Sequence, residues 1–379
     1  MPIYKTNGKK DGLQKYNVRI NYIDDFGKSK QLTRIAYGSE AAKDLERQLS
    51  SSIKTIGEAI TQNMTVHQLF EKHFSTKKYE IRESTLDKQM RNYELYIRPI
   101  MENVRIEKLS VSVLMDWKRF IDEKGLAIGT KKTAYSLFRA TLNFAVKMEF
   151  IEKNPLLKAG NFKDTSGIKK EMKIYTAEQF SKFINTAKHL AEERQENEKD
   201  LSEWDYYVFF NIAYYTGLRK GEIHALKWSD INGSLLSVKH SITQKLKGDD
   251  RETAPKNSSS FRTLQIPKPL IQALNDHRNR QEQLDHFTED YRICGGERCI
   301  RDTTVSKRNI HYASLSGLDV ISIHSYRHSH ASLLANEGIN IQEIARRLGH
   351  ARVEMTWNTY SHLYPREEER AVEILNRIA

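Results

Sequence analysis

Cysteine is nearly absent. Only Cys294 and Cys299 occur among 379 residues, which excludes a disulfide framework and suits a reducing compartment. Their spacing, CGGERC, could supply half a metal knuckle. No second Cys or His pair stands at ligand spacing, so no metal site is expected. Apolar runs long enough to cross a bilayer are missing, and the opening MPIYKTNGKKDG has no apolar signal core. The expectation is a soluble, cytoplasmic protein with no membrane partner. No GxxxxGK[ST] loop for a nucleotide and no HExxH metal pair occur, so no cofactor is expected. Acidic residues are outnumbered: 61 Lys+Arg face 49 Asp+Glu, a formal charge of +12. That imbalance points to a polyanionic partner, because each phosphate neutralised by Lys or Arg releases counterions.

The length predicts two or three domains rather than one core. Residues 1–56 read as a small basic β-rich unit. LQKYNVRINYI and SKQLTRIAY alternate like strands around a loop at Gly27, and a short helix over about Ser39 to Ser51 follows. Lys5, Lys9, Lys10, Lys15, Arg19, Lys28, Lys30 and Arg34 cluster there, as a sheet laid into a DNA major groove requires. Residues 63–157 have almost no glycine and read as four helices. The third helix of the chain is expected to stop at Pro99, and a long one to run to Asn154-Pro155. Lys131, Lys132 and Arg139 face solvent or phosphate. Residues 158–172 are polar and aperiodic and read as a linker.

A larger unit begins at 173. WDYYVFFNIAYYTG is apolar around most of its circumference and predicts a buried helix that ends at Gly217, just before Arg219. The charged run ERQENEKDLSE before it reads as a solvated insertion. GSLLSVKHSITQKL and SFRTLQIP read as strands around a loop that contains Lys256. Near the end, His324 and Arg327 share one helix face, Asn340 caps the next helix, and Gly349 ends it before His350. Tyr360 follows in TWNTYSHL, and REEERAVEILNRIA reads as a final amphipathic helix.

Three readings of this stretch compete. HASLLANEGINIQEIARRLGH has the form of a helix–turn–helix DNA reader, but such a regulator needs neither Tyr360 nor the distant Arg219. His324, His328 and His330 could suggest a metal, but no ligand pattern supports it. The third reading uses the whole set. A phosphodiester under attack builds charge on its non-bridging oxygens, which two arginines can clamp. Tyrosine is a poor nucleophile at neutral pH and needs a base or local positive charge, which histidines supply. A loop lysine can protonate the leaving 5′-oxygen. A phosphotyrosine intermediate preserves the bond energy, so no ATP is needed.

TGLRKGE, HSYRHSH, LGH and NTYSHL, in this order, resemble the tyrosine recombinase (integrase) family over about Tyr175 to Tyr364. The resemblance implies that Arg219 and Arg327 clamp the phosphate, that His324 and His350 bond it and assist proton transfer, and that Tyr360 forms a 3′-phosphotyrosyl link. It implies that Lys256 protonates the leaving 5′-hydroxyl, with Lys245 and Lys247 nearby as alternatives. Glu222 would support Arg219, and His328 and His330 would be packing residues. The implied fold is multidomain and mostly α with small β-sheets. An arm-binding domain with a three-stranded sheet (1–56) precedes a helical core-binding domain (63–157). The linker (158–172) leads to an α+β catalytic domain (173–379). The implied partners are double-stranded DNA at core and arm sites, sister protomers in a tetramer on two duplexes, and an accessory excision or DNA-bending protein. The last helix would dock on a neighbouring protomer. A type IB topoisomerase shares the chemistry but needs no second DNA site, and a non-catalytic regulator on the same fold would not need all six catalytic positions.

Overall fold

The computed structural model describes residues 3–10, 12–23, 29–62, 64–164, 172–244, 250–253, 261–364, 372–373 and 375–377. The loop at Gly27, the lysines at 245, 247 and 256 and most of the expected final helix lie outside them. The chain divides into two units, Met1–Gly167 and Ile168–Ala379.

In the first unit, β1 (Ile3–Lys10), β2 (Leu13–Ile23) and β3 (Ser29–Tyr37) form an antiparallel sheet in that order. Val18 and Ala36 on one face pack against Ala42 of α1 (Ser39–Gln62). Lys5, Lys9, Lys10, Arg19 and Arg34 remain exposed. The helix runs well past the expected end at Ser51. No proline intervenes, and Gly57 alone costs about 1 kcal/mol, too little to stop a helix already nucleated.

The same unit holds α2 (Val66–Lys77), α3 (Glu83–Tyr96), α4 (Arg98–Met101), α5 (Val111–Glu123), α6 (Ile128–Lys147) and α7 (Leu156–Ala159). Phe70, Tyr93, Trp117 and Phe138 fill their common core. Thr65 and Gln68 form a capping box at the start of α2. Two boundaries differ from expectation. Pro99 opens α4 instead of closing α3, because a first-turn position needs no N–H donor. The long helix α6 stops at Lys147, not at Asn154. Glu149 adopts a left-handed φ of 58°, Phe150 N donates to Ala145 O at 2.8 Å, and the Phe150 ring meets Phe144. This is a Schellman stop built without glycine, which sequence pattern does not announce. Lys131 is ion-paired with Asp122 at 2.6 Å.

The second unit is built around α9 (Ser202–Thr216). Its helices are α8 (Ala177–Glu198), α9, α10 (Lys220–Ala225), α11 (Lys268–Gln281), α12 (Asp302–Leu315), α13 (Ile323–Asn336), α14 (Ile341–Leu348) and α15 (Val353–Tyr360). Val208, Phe209, Phe210 and Ile212 of α9 are buried, and Phe210 meets Tyr312 and Tyr326 from two other helices. The first expected strand breaks at Lys239-His240. β5 (Leu235–Val238) joins β4 (Ile231–Asn232) and β8 (Arg262–Gln265), whereas β6 (Ser241–Thr243) pairs with β7 (Arg251–Thr253). The charged run stays mostly exposed, as expected, but it is not a separate insertion: its first half extends α8, and its last residue, buried Glu203, receives Arg194, Arg308 and the Tyr312 hydroxyl. Cys294 and Cys299 are free and buried, and burial raises both thiols, Cys299 to about 11. No metal-binding cluster and no helix long and apolar enough to cross a membrane occur among the described residues.

Candidate active site

The site starts from the rigidity of α9. Phe180 stacks on Tyr214 with ring centres 3.8 Å apart, which helps to hold the end of the helix in place. Gly217 caps it at φ 64°. A Cβ there would lie 2.8 Å from His330 Cδ2 and 2.9 Å from Leu348 Cδ2. Only glycine allows α9, α13 and α14 to meet at this point. His330 completes the junction by donating from Nδ1 to Tyr214 O at 2.9 Å.

Two residues on, Arg219 caps α10. Its Nη1 donates to Glu222 Oε1 at 2.9 Å and its Nη2 to Gly349 O at 3.2 Å, the residue before His350. Glu222 also accepts the Arg219 backbone N–H at 2.9 Å and both ends of the Arg262 fork, at 2.8 and 3.2 Å. Arg262 in turn donates from Nε to Arg347 O at 2.7 Å. Burial opposes the charge on Glu222, but the hydrogen bond and charge of Arg262, with Arg219, hold its carboxyl below the usual range. One carboxylate thus aims Arg219 and ties β8 and the end of α14 to it.

Arg327 is buried on α13. Its Nη1 donates to Gly217 O at 2.9 Å, while Nη2 has no hydrogen-bond partner among the described residues. Burial, and then the charge of Arg219, push Arg327 below its ordinary value. Two guanidiniums that repel each other, one with an unpaired buried donor, are stabilised by an anion between them. His350 lies half-buried beside them, with Nδ1 2.8 Å from Thr356 Oγ1. Burial, Arg327 and Arg219 lower it to about 4. His324 opens α13 next to the Ser322 cap and is lowered by burial and by the same two arginines. Both histidines are therefore neutral at pH 7 in the free protein.

Tyr360 ends α15 at 1 % exposure. Burial pushes its hydroxyl up to about 12, with Arg327 pulling the other way. Its hydroxyl lies 2.6 Å from His328 Nδ1. The His328 ring stands edge-on to His324, centres 4.8 Å apart. Arg219, His324, Arg327, His350 and Tyr360 are thus brought into one cluster, while Lys256 lies outside the described residues. Sequence reasoning left His328 as packing and passed over Arg262. Two signals could have found them. His328 stands four residues from His324, on the same helix face. Arg262 shares the inward face of β8 with Leu264, where an arginine must have a buried partner.

Residues 173–367 match the phage integrase family, and residues 63–163 match the phage integrase SAM-like domain. The ICEBs1 integrase of Bacillus subtilis is 28% identical over 278 residues, 72% of each chain. A XerC-like tyrosine recombinase of Caldanaerobacter subterraneus subsp. tengcongensis is 26% identical over 402 residues, 98% of each chain. The fold is similar to that of the Tn1549 transposon integrase solved with a circular intermediate DNA, at a TM-score of 0.65 and 19% identity, over 83% of this chain and 100% of that one. It is also similar to a lambda integrase tetramer bound to a Holliday junction, at 0.56 and 17%, over 93% and 96%. The chain belongs to the phage integrase family: it is a tyrosine recombinase, an enzyme that cuts and rejoins DNA.

Proposed function

We propose that this recombinase integrates and excises a mobile element at specific DNA sites, with Arg219, Lys256, His324, Arg327, His350 and Tyr360 as its catalytic set. The observation that carries the assignment is the buried Arg327 guanidinium, with one nitrogen unpaired among the described residues, in the same cluster as Arg219 and the Tyr360 hydroxyl. Tyr360 Oη attacks the scissile phosphorus. Arg219 and Arg327 neutralise the charge that builds on the non-bridging oxygens, where fixed donors in a dry site act most strongly. His324 and His350 hydrogen-bond the same phosphate. Lys256 gives a proton to the 5′-oxygen as it leaves. A 3′-phosphotyrosyl link remains, and the 5′-hydroxyl of another strand reverses the steps.

The proposed division of labour follows the chain. Residues 1–56 bind arm-type DNA, 63–157 bind the core site, 158–172 link them to the catalytic residues 173–379. The exposed lysines and arginines of the first sheet support the arm assignment. The active assembly is a tetramer on two duplexes, as the lambda integrase neighbour is on its junction, and it works on DNA in the cytoplasm.

A DNA duplex nicked near the crossover traps the covalent intermediate and tests the assignment. The parent accumulates the adduct and Tyr360→Phe forms none. Arg219→Ala and Arg327→Ala each slow cleavage by about 10²–10³-fold while DNA binding survives. An adduct formed by Tyr360→Phe at the parent's rate would refute it.

A further inference from the structure

We propose that His328 is the group that takes the proton of Tyr360 as the tyrosyl–phosphate bond forms, and returns it when the strand is rejoined. The proposal rests on Tyr360 being the nucleophile. Among the described residues the Tyr360 hydroxyl meets one hydrogen-bond partner, His328 Nδ1 at 2.6 Å. Two other histidines of the region are turned to different partners. His350 Nδ1 faces Thr356 Oγ1, and His330 donates to the Tyr214 carbonyl. Arginine carries no lone pair for a proton, and the buried carboxylate tied to Arg219, Glu222, is taken up by Arg219 and Arg262.

The imidazole is held for this task. His324, one helical turn earlier, packs edge-on against it at 4.8 Å, and the Tyr360 ring centre lies 5.9 Å away. Burial, then His324 and Arg327, keep His328 low, at about 4, so its ring is neutral at pH 7 and Nδ1 can accept. A phosphate on the two arginines offsets their charge and raises the basicity of a histidine at this position. The proton balance is closed. The Tyr360 O–H bond breaks and its proton passes to Nδ1. The Oη–P bond forms, the P–O5′ bond breaks, and the 5′-oxygen takes a proton from Lys256. Rejoining runs each transfer backwards, so no proton is gained or lost.

Single-turnover cleavage at saturating DNA reads the proposal. His328→Ala is expected to lower the rate by about 10²–10⁴-fold with DNA binding unchanged. A substrate with sulfur in place of the bridging 5′-oxygen needs no proton on its leaving group. It is expected to rescue Lys256→Ala and not His328→Ala. A fluorinated tyrosine placed at position 360 ionises more readily, and it is expected to recover part of the loss in His328→Ala. A purely packing role would not respond to the acidity of the phenol. His328→Gln keeps a hydrogen-bond acceptor but cannot hold the proton. It is expected to stay as slow as His328→Ala, and it carries the same comparison if the alanine variant melts early. Parental rates in His328→Gln, or no gain from the fluorinated phenol, would overturn the proposal. Tyr360→Phe run alongside separates the two levels: adduct formation by that variant sinks the nucleophile assignment itself, whereas its inactivity with a fully active His328→Ala sinks only the role of His328.

Discussion

Glu222 is where charge and position meet at the scale of single residues. It is 3 % exposed and faces Arg262, whose side chain is equally hidden, and Arg219 at the edge of the site. Removing one member of such a group leaves the others charged and unpaired, which costs about 3–5 kcal/mol. Glu222→Gln is therefore expected to lose stability of that order in denaturant unfolding at neutral pH, and to slow cleavage because Arg219 is no longer aimed. The pH dependence has a definite sign. The folded carboxyl titrates below its ordinary 4.5, so its stabilisation is complete above that value and is lost as pH falls through the lower folded value. The stability gap between parent and variant should close in acid, and a constant gap would show that the carboxylate's charge contributes nothing. The resemblance of TGLRKGE pointed to Glu222 as a support for Arg219. It did not point to Arg262, which lies forty-odd positions away on β8 and joins the group only through folding.

Among the elements, the meeting of α9, α13 and α14 at Gly217 decides whether the site exists. The helix end, the Arg327 anchor on Gly217 O and the His330 bond to Tyr214 O share a few ångströms of space. Gly217→Ala adds left-handed strain and two overlaps under 3 Å, and is expected to cost about 2–4 kcal/mol. Gly233 has a similar φ of 58° but nothing within 4 Å of a Cβ, so Gly233→Ala should cost only about 1 kcal/mol. Equal melting temperatures for the two variants would refute the close-packing argument. The start of some helices was legible in the caps, since Thr65, Thr176 and Asn340 each accept a backbone N–H at the start of α2, α8 and α14. The ends were less so. Gly217 and Gly349 mark theirs, but α6 stops at a non-glycine residue held by the Phe144–Phe150 contact.

For the whole molecule, the +12 charge and the separate basic sheet point the same way. Because α1 continues to Gln62, a clean truncation removes residues 1–62 rather than 1–56. That variant is expected to cleave a core-site duplex at close to the parental rate and to lose affinity for arm DNA. Its loss should be greatest at low salt, since the deleted contacts are to phosphates. Gel shifts on core and arm duplexes over a salt series measure this, and unchanged arm binding would refute the arm assignment.

The sequence by itself pointed to the family, most of the helices and the five described residues of the proposed catalytic set, because helical spacing and short motifs are local and travel with the chain. It also determined that α9 is buried, because a helix that is apolar all round has no solvent face. Only the tertiary structure decided the rest. Arg262 meets Glu222 across forty residues of chain, and Glu203, in a run that reads as solvated, is buried against Arg308 and the Tyr312 hydroxyl of α12. His328 meets Tyr360 because α13 and α15 pack side by side. Each of these is a charge or a proton site whose partner is remote in sequence, and a buried polar group takes its meaning from the partner that satisfies it.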